Sequence, residues 1–176
     1  MRVRLYLSTL VFLALICTWE PARADEVREQ APLGLAEARI GQGFALGGGS
    51  GESTVRLSPL SISALASYAI NAEPWVSVFG GLVFEGRNRA AIGGQLGLRL
   101  NPGAGRNRVS VSAVAMGLPF SAYGATVGLG RCIGVEGGMG FCTDLEATVF
   151  GVGSDIPEGR IATQVQAVLG VAFDVF

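Results

Sequence analysis

The sequence predicts an all-β fold of eight antiparallel strands, and pattern and composition both support this prediction. Apolar residues alternate with Gly, Ser and charged residues over segments of about ten positions, which is the side-chain period of a β-strand. Glycine is also abundant, with 27 residues in a chain of 176. Each glycine weakens a helix by roughly 1 kcal/mol relative to alanine, so a helical fold is not expected.

The N-terminal residues have the order of charge, apolar core and cleavage site that defines a secretory signal. Arg2 and Arg4 precede an apolar run over 5–16, and small residues lead up to Ala24. The run is about a dozen residues long, whereas a membrane-spanning helix needs ~20. We therefore expect cleavage after Ala24, and a short N-terminal anchor is the alternative interpretation.

The predicted domain organisation is a signal peptide over 1–24, a flexible leader over 25–34 and one β-barrel domain over 35–176. The leader is assigned because it is polar and has no periodic pattern. The eight alternating segments run over 35–46, 54–71, 75–86, 90–100, 108–118, 122–134, 140–153 and from 160 to the C-terminus. In the third of these segments, Trp75, Phe79 and Val83 share the face opposite the apolar one.

Each segment has one apolar face, and turn-forming residues separate the segments. In the first segment Ala38 and Ile40 oppose Glu37 and Arg39, with Gln42 as an exception on the apolar face. Representative apolar residues of the other seven segments are, in chain order, Ile62, Leu82, Leu96, Val111, Val127, Leu145 and Leu169. The turns fall at 47–52, 71–74, 86–89, 101–103, 119, 136–138 and 155–159.

The direction in which the apolar faces point decides between two classes of barrel. An even number of ~10-residue alternating strands behind an export signal, with apolar faces outward, is typical of a transmembrane barrel. A soluble barrel or sandwich instead buries its apolar face. The polar faces are rich in Gly and Ser and poor in charge, whereas solvated surfaces carry many charges. We therefore predict an up-and-down transmembrane barrel, with a soluble exported barrel or sandwich as the alternative.

Two short features resemble a known family. The stretch over 68–78 (YAINAEPWVSV) looks like the periplasmic turn of small eight-stranded outer-membrane barrels of the OmpA and OmpX type, and Phe176 resembles the aromatic C-terminus of that class. The resemblance implies a location in the outer membrane, contact with its lipid, and recognition by the barrel-assembly machinery through the C-terminal strand ending in Phe176.

The residue types present exclude much common chemistry. The chain contains no His, and all 13 of its basic residues are Arg. A Ser-His-Asp or Cys-His arrangement, a Walker phosphate loop and a Lys Schiff base are therefore impossible. We expect no enzyme activity, no cofactor, no metal and, since no basic patch is present, no nucleic-acid partner.

The expected function follows from this exclusion. We expect a non-enzymatic outer-membrane barrel with a structural, adhesion or defence role. The alternative is a soluble barrel, periplasmic or secreted, that binds a small apolar ligand in its interior, as lipocalin-like barrels do.

Cys132 and Cys142 are the two cysteines of the predicted mature chain, and export would bring them to an oxidising compartment. Both fall on the polar faces of neighbouring strands and are symmetric about Gly137. We therefore predict a cross-strand disulfide. Redox-active thiols are the weaker alternative, because there is no Cys-x-x-Cys spacing.

Charged residues of both signs fall on the polar faces, which would line the lumen. Eight strands enclose a space only wide enough for side chains, so these charges should form a paired network without a continuous channel. Asp144 and Glu146 could alternatively hold a cation. The predicted network consists of Glu37, Arg39, Glu85, Arg99, Asp144 and Glu146.

Overall fold

The computed structural model describes residues 34–49, 52–70, 76–86, 90–102, 107–135, 137–154, 156 and 160–175. The predicted signal peptide, most of the predicted leader, Phe176 and residues 71–75 of the OmpA-like stretch lie outside this range. Gly34, the last residue of the predicted leader, already belongs to a strand. The strands are β1 (Gly34–Gly49), β2 (Glu52–Leu57), β3 (Leu60–Ala69), β4 (Val76–Gly86), β5 (Ala91–Leu100), β6 (Asn107–Leu118), β7 (Ala122–Val135), β8 (Met139–Val152) and β9 (Ala162–Asp174). Within the described residues, no helix has the length and apolar character needed to cross a membrane.

The nine strands form a closed antiparallel barrel with eight strand positions. β2 and β3 together occupy one position, because both pair with β1, one after the other along its length. β1 pairs with β2 over Phe44–Gly49 and with β3 over Gly34–Gly41, and β9 closes the sheet on the other side of β1. The prediction of one unbroken segment over 54–71 is wrong in this detail. The strand is interrupted at Ser58 and Pro59, since proline has no N–H to continue the ladder.

The interruption is held together by polar contacts. The Ser58 backbone N–H donates to the Gly43 carbonyl at 2.9 Å, and the Gly43 N–H donates to Ser58 Oγ at 2.7 Å. From β9, Gln166 Nε2 donates to Ser58 Oγ and to the Pro59 carbonyl, each at 3.1 Å. These contacts satisfy backbone groups that the break would otherwise leave unpaired.

The stagger of the strands sets the shape of the barrel. A path along paired residues that leaves β1 at Ala36 runs around the sheet through Ala113 and Thr163 and returns to β1 at Leu46, ten residues further on. With eight strands and standard strand spacings, a stagger of this size corresponds to a tilt of about 40° from the barrel axis. The interior is therefore narrow and can be filled by side chains.

The apolar faces point outward and the polar faces inward. Ile62 and Leu96 are 47% and 65% exposed, whereas Glu37 and Arg99 are 4% and 3% exposed. Phe79 and Val83, which interrupt the polar face of the third predicted segment, are buried inside the barrel. The inner surface is therefore polar with apolar insertions, and the outer surface is almost wholly apolar.

Aromatic side chains on the outer surface lie toward the two ends of the strands. At the end that carries the termini, the exposed aromatic residues among those described are Tyr68, Phe141 and Phe173. At the opposite end they are Phe44, Phe84 and Tyr123. The part of the wall between them is covered by aliphatic and small residues such as Leu82, Leu96 and Ala64.

Candidate functional site in the barrel interior

An ion-pair cluster closes the half of the lumen that lies toward the chain termini. Arg108, near the start of β6, contacts two carboxylates from different strands. Its Nε donates to Asp144 Oδ1 at 2.6 Å, its Nη2 donates to Asp144 Oδ2, and its Nη1 donates to Glu37 Oε1 at 3.1 Å. A fork of this kind against one carboxylate is the strongest common geometry for an Arg ion pair.

The cluster extends on both sides of Arg108. On one side, Arg99 donates to both oxygens of Glu37, with Nη2 to Oε2 at 3.3 Å. On the other side, Arg39 Nη2 donates to Asp144 Oδ2 at 3.2 Å and to Glu146 Oε1. Three guanidinium groups and three carboxylates thus form one continuous network whose formal charges cancel.

The cluster connects opposite sides of the barrel, and the Arg108–Glu37 contact is here called the crossbar. Glu37 is on β1 and Arg108 on β6, which is four strands away from β1 in either direction around the eight-stranded barrel. The Arg108–Glu37 contact therefore spans the lumen. All side chains of the cluster are at most 12% exposed, so breaking one pair would leave a charge that water reaches poorly.

Two neighbours shape the space around the cluster. The Arg99 guanidinium carbon lies 4.9 Å from the centroid of the Phe79 ring, a cation–π distance. Gly130, on β7 beside Asp144, leaves room for that carboxylate, because a Cβ at Gly130 would overlap Asp144 Oδ1 and lie 2.5 Å from the Thr143 carbonyl. The Asp144 carboxylate can thus lie against Gly130 while binding Arg108.

Beyond the cluster, the middle of the lumen holds a small polar cavity of about 30 Å³. Its wall includes Glu85 and Glu146 together with Ser, Thr and Gln side chains. Around it, Gln95 Nε2 donates to Ser112 Oγ at 2.7 Å, and the hydroxyls of Thr126 and Thr148 are 2.8 Å apart. A polar cavity of this size has room for about one or two water molecules.

The far half of the lumen holds an apolar cluster, here called the apolar plug, beside the buried polar side chains of Glu85, Gln164 and Gln166. Val83, Ala91, Val114, Met116, Ala122 and Phe150 form one buried cluster. Ile156, which follows β8, and Ala162, which begins β9, pack against this cluster. The interior therefore has three layers: an ion-pair cluster, a small polar cavity and an apolar plug.

A disulfide joins the two strands that extend furthest at the terminal end. Cys132 on β7 and Cys142 on β8 are directly paired in register and bonded, with their Cα atoms 4.1 Å apart. Cys142 is 2% exposed and lies two residues from Asp144. The cross-link thus ties the β7–β8 hairpin close to the ion-pair cluster.

The structure brings together five of the six charges that the sequence assigns to the lumen. Glu37, Arg39, Arg99, Asp144 and Glu146 belong to the ion-pair cluster, whereas Glu85 lies near the end of β4 and lines the cavity. Arg108, which joins the two arms of the cluster, was not among the predicted site residues. Its alternation with Val109 and Val111 placed it on the polar face, so the pattern itself contained the signal.

A second concavity lies outside the lumen. It has a volume of about 400 Å³, and most of the side chains around it face outward. Its lining includes the small residues Ala36, Ala66 and Gly80 together with Tyr68 and Leu96. Small residues on three neighbouring strands thus create a shallow apolar groove in the outer wall.

Comparisons with known proteins assign no family to this chain: no protein-family model matches it, and no curated protein matches it significantly. Among the described residues, no group of three or more Cys, Asp or Glu side chains is arranged to hold a metal ion. The barrel itself is therefore the basis for assigning a function.

Proposed function

We propose that this protein is an integral barrel of the bacterial outer membrane, exported by its N-terminal signal and acting as a non-conducting structural component. The single observation that supports this most strongly is the inverted distribution of polarity. Aliphatic side chains such as Ile62 and Leu96 stand on the outer wall, while Glu37, Arg99 and Arg108 are buried inside. In water this arrangement would expose a far larger apolar surface than soluble monomers normally tolerate.

The dimensions of the outer wall support the same proposal. β4 has 11 residues, and at ~3.3 Å per residue and about 40° of tilt they rise about 25 Å along the barrel axis. The apolar band of known outer-membrane barrels has the same height, ≈ 25 Å. The two groups of exposed aromatic residues then fall where the interfaces of the bilayer would lie.

The filled lumen favours a structural role over transport. A permeant ion would have to displace the Arg108–Glu37 crossbar and then pass the apolar cluster around Met116 and Phe150. The same filling argues against the alternative of a soluble barrel that binds a small apolar ligand. Ligand pockets usually measure ≈ 300–1,000 Å³, about 10 to 30 times the volume of the interior cavity described above.

Membrane fractionation tests the proposal directly. We expect the full chain, expressed in a Gram-negative host, to remain with the outer-membrane fraction after washing in alkaline carbonate, while a soluble periplasmic marker is released. Release of the protein together with the marker would overturn the membrane proposal and restore the soluble alternative.

Export is tested separately by the mass of the mature protein. If the signal is cleaved after Ala24, the first residue of the purified protein is Asp25. Intact-mass spectrometry should therefore find the mass of 25–176 with one disulfide. Retention of residues 1–24 on the native protein would contradict the signal peptide.

A further inference from the structure

The outer wall carries one cluster of polar side chains that the proposed function does not use. Arg131 lies on β7 between Leu129 and Ile133, with the outward orientation of both. In register beside it are Asn107 on β6 and Thr143 on β8. Directly opposed residues on neighbouring strands have Cβ atoms about 5 Å apart, so the three polar side chains form a continuous row across three strands.

Arg131 differs from the arginines of the lumen in its lack of a partner among the residues that the structure describes. Arg39, Arg99 and Arg108 each bind at least one carboxylate. No described residue accepts a hydrogen bond from Arg131 or forms an ion pair with it, and its Nε is buried without a partner. A guanidinium without a carboxylate partner keeps hydrogen-bond donors available, so a ligand with negatively charged oxygens would bind favourably there.

The depth of Arg131 identifies the kind of ligand. Its neighbour Asn107 is the first residue of β6, and Phe141 and Phe173, two of the exposed aromatic residues at the terminal end, lie on the adjoining strands β8 and β9. Arg131 therefore lies at the level where the interface of the bilayer would meet the barrel. A long Arg side chain can also extend its guanidinium toward the headgroups.

We infer that Arg131, flanked by Asn107 and Thr143, binds the phosphate group of a membrane phospholipid on the outer wall of the barrel. This inference rests on the proposed function, because a phospholipid reaches this wall only if the barrel lies in a membrane. The guanidinium donates charge-assisted hydrogen bonds to phosphate oxygens. The Asn107 amide and the Thr143 hydroxyl are within reach of the same headgroup.

The test measures lipid binding to the intact mature protein in nonionic detergent by native mass spectrometry. Dioleoyl-phosphatidylglycerol is titrated against the parent and against Arg131→Gln, with Arg56→Gln as the matched control. Arg56 is an exposed arginine on β2, toward the opposite end of the barrel. Loss of the charge-assisted contacts should weaken binding about tenfold or more in Arg131→Gln, and Arg56→Gln should bind like the parent.

Two further measurements separate phosphate recognition from other causes. Arg131→Lys keeps the charge and should bind with intermediate affinity, whereas the pair Asn107→Leu and Thr143→Val should weaken binding roughly two- to tenfold with Arg131 in place. Dioleoylglycerol has the same acyl chains without the phosphate and should compete poorly. Inorganic phosphate at the lipid concentration should also compete poorly, because it lacks the acyl chains that the apolar wall holds.

The outcomes distinguish this inference from the proposed function. Equal binding by the parent and Arg131→Gln overturns the inference, as does full competition by dioleoylglycerol or by inorganic phosphate. If the parent stays in the membrane after carbonate washing, such a result leaves the proposed function standing. Release of the parent by carbonate overturns both.

Discussion

Residues one position apart on the same strand of this barrel meet opposite surroundings. Arg99 is 3% exposed and binds Glu37, while its neighbour Leu98 is 47% exposed on the outer wall. Charge is therefore stabilised inside, where a partner of opposite sign is in contact, and apolar surface is placed outside. The effect of an arginine in this barrel therefore depends on its face and its depth, and substitutions can test both.

The largest effect is expected on the inner face. Arg108→Met removes the residue that joins the two arms of the ion-pair cluster and leaves Glu37 and Asp144 with one arginine each. An uncompensated buried charge typically costs about 3–5 kcal/mol. Urea unfolding of the protein reconstituted in vesicles should show a loss of this order, and Arg56→Gln should unfold like the parent. An unchanged free energy of unfolding in Arg108→Met would show that the crossbar does not stabilise the barrel.

A slightly smaller loss is expected when an arginine is added to the middle of the outer wall. Ile62→Arg and Leu96→Arg should each cost about 2–4 kcal/mol in a bilayer, because the new charge would face hydrocarbon. Leu100→Arg is the matched control: Leu100 also faces outward but ends β5 at the terminal end, where the cost falls to about 0–1 kcal/mol. Equal stability of all three variants would mean that the outer wall does not face lipid.

Loss of the disulfide should lower the free energy of unfolding less than the arginine substitutions on either face of the wall. Replacing both Cys132 and Cys142 by Ser removes a cross-link between residues only ten positions apart in sequence. The loss in the free energy of unfolding should therefore be below the ~3 kcal/mol expected for a 15-residue loop. The unfolding experiment above measures it. Thiol labelling of the denatured, unreduced parent should detect no free cysteine in the mature chain, and two reactive thiols would exclude the bond.

The last prediction concerns conductance: the parent protein should conduct no measurable ion current. The ion-pair cluster and the apolar plug lie one after the other along the lumen, so the purified barrel should give no stable single-channel steps in planar bilayers. Arg108→Met combined with Met116→Ala, which thins both layers, provides the comparison. Reproducible steps from the parent itself would falsify the plugged lumen and change the proposed role to that of a small pore.

The sequence predicts the wall of the barrel more completely than it predicts the contacts in the interior. Alternation assigned the strands and their faces, because a β-strand places successive side chains on opposite sides. It missed the break at Ser58 and Pro59, since apolar alternation continues on either side of the proline. It also assigned Glu85 to the same network as Glu37, although the two residues lie toward opposite ends of the lumen.

From the sequence alone it follows that the chain forms amphipathic strands, that it lacks the residues for His- or Lys-dependent chemistry, and that Cys132 and Cys142 belong to one hairpin. Only the closed barrel decided which inward residues meet. Arg108 and Glu37 are 71 residues apart in sequence and come into contact because a stagger of ten residues brings β6 across the lumen from β1 at that level. Alternation has no information about stagger, since every even shift of a strand leaves its faces unchanged.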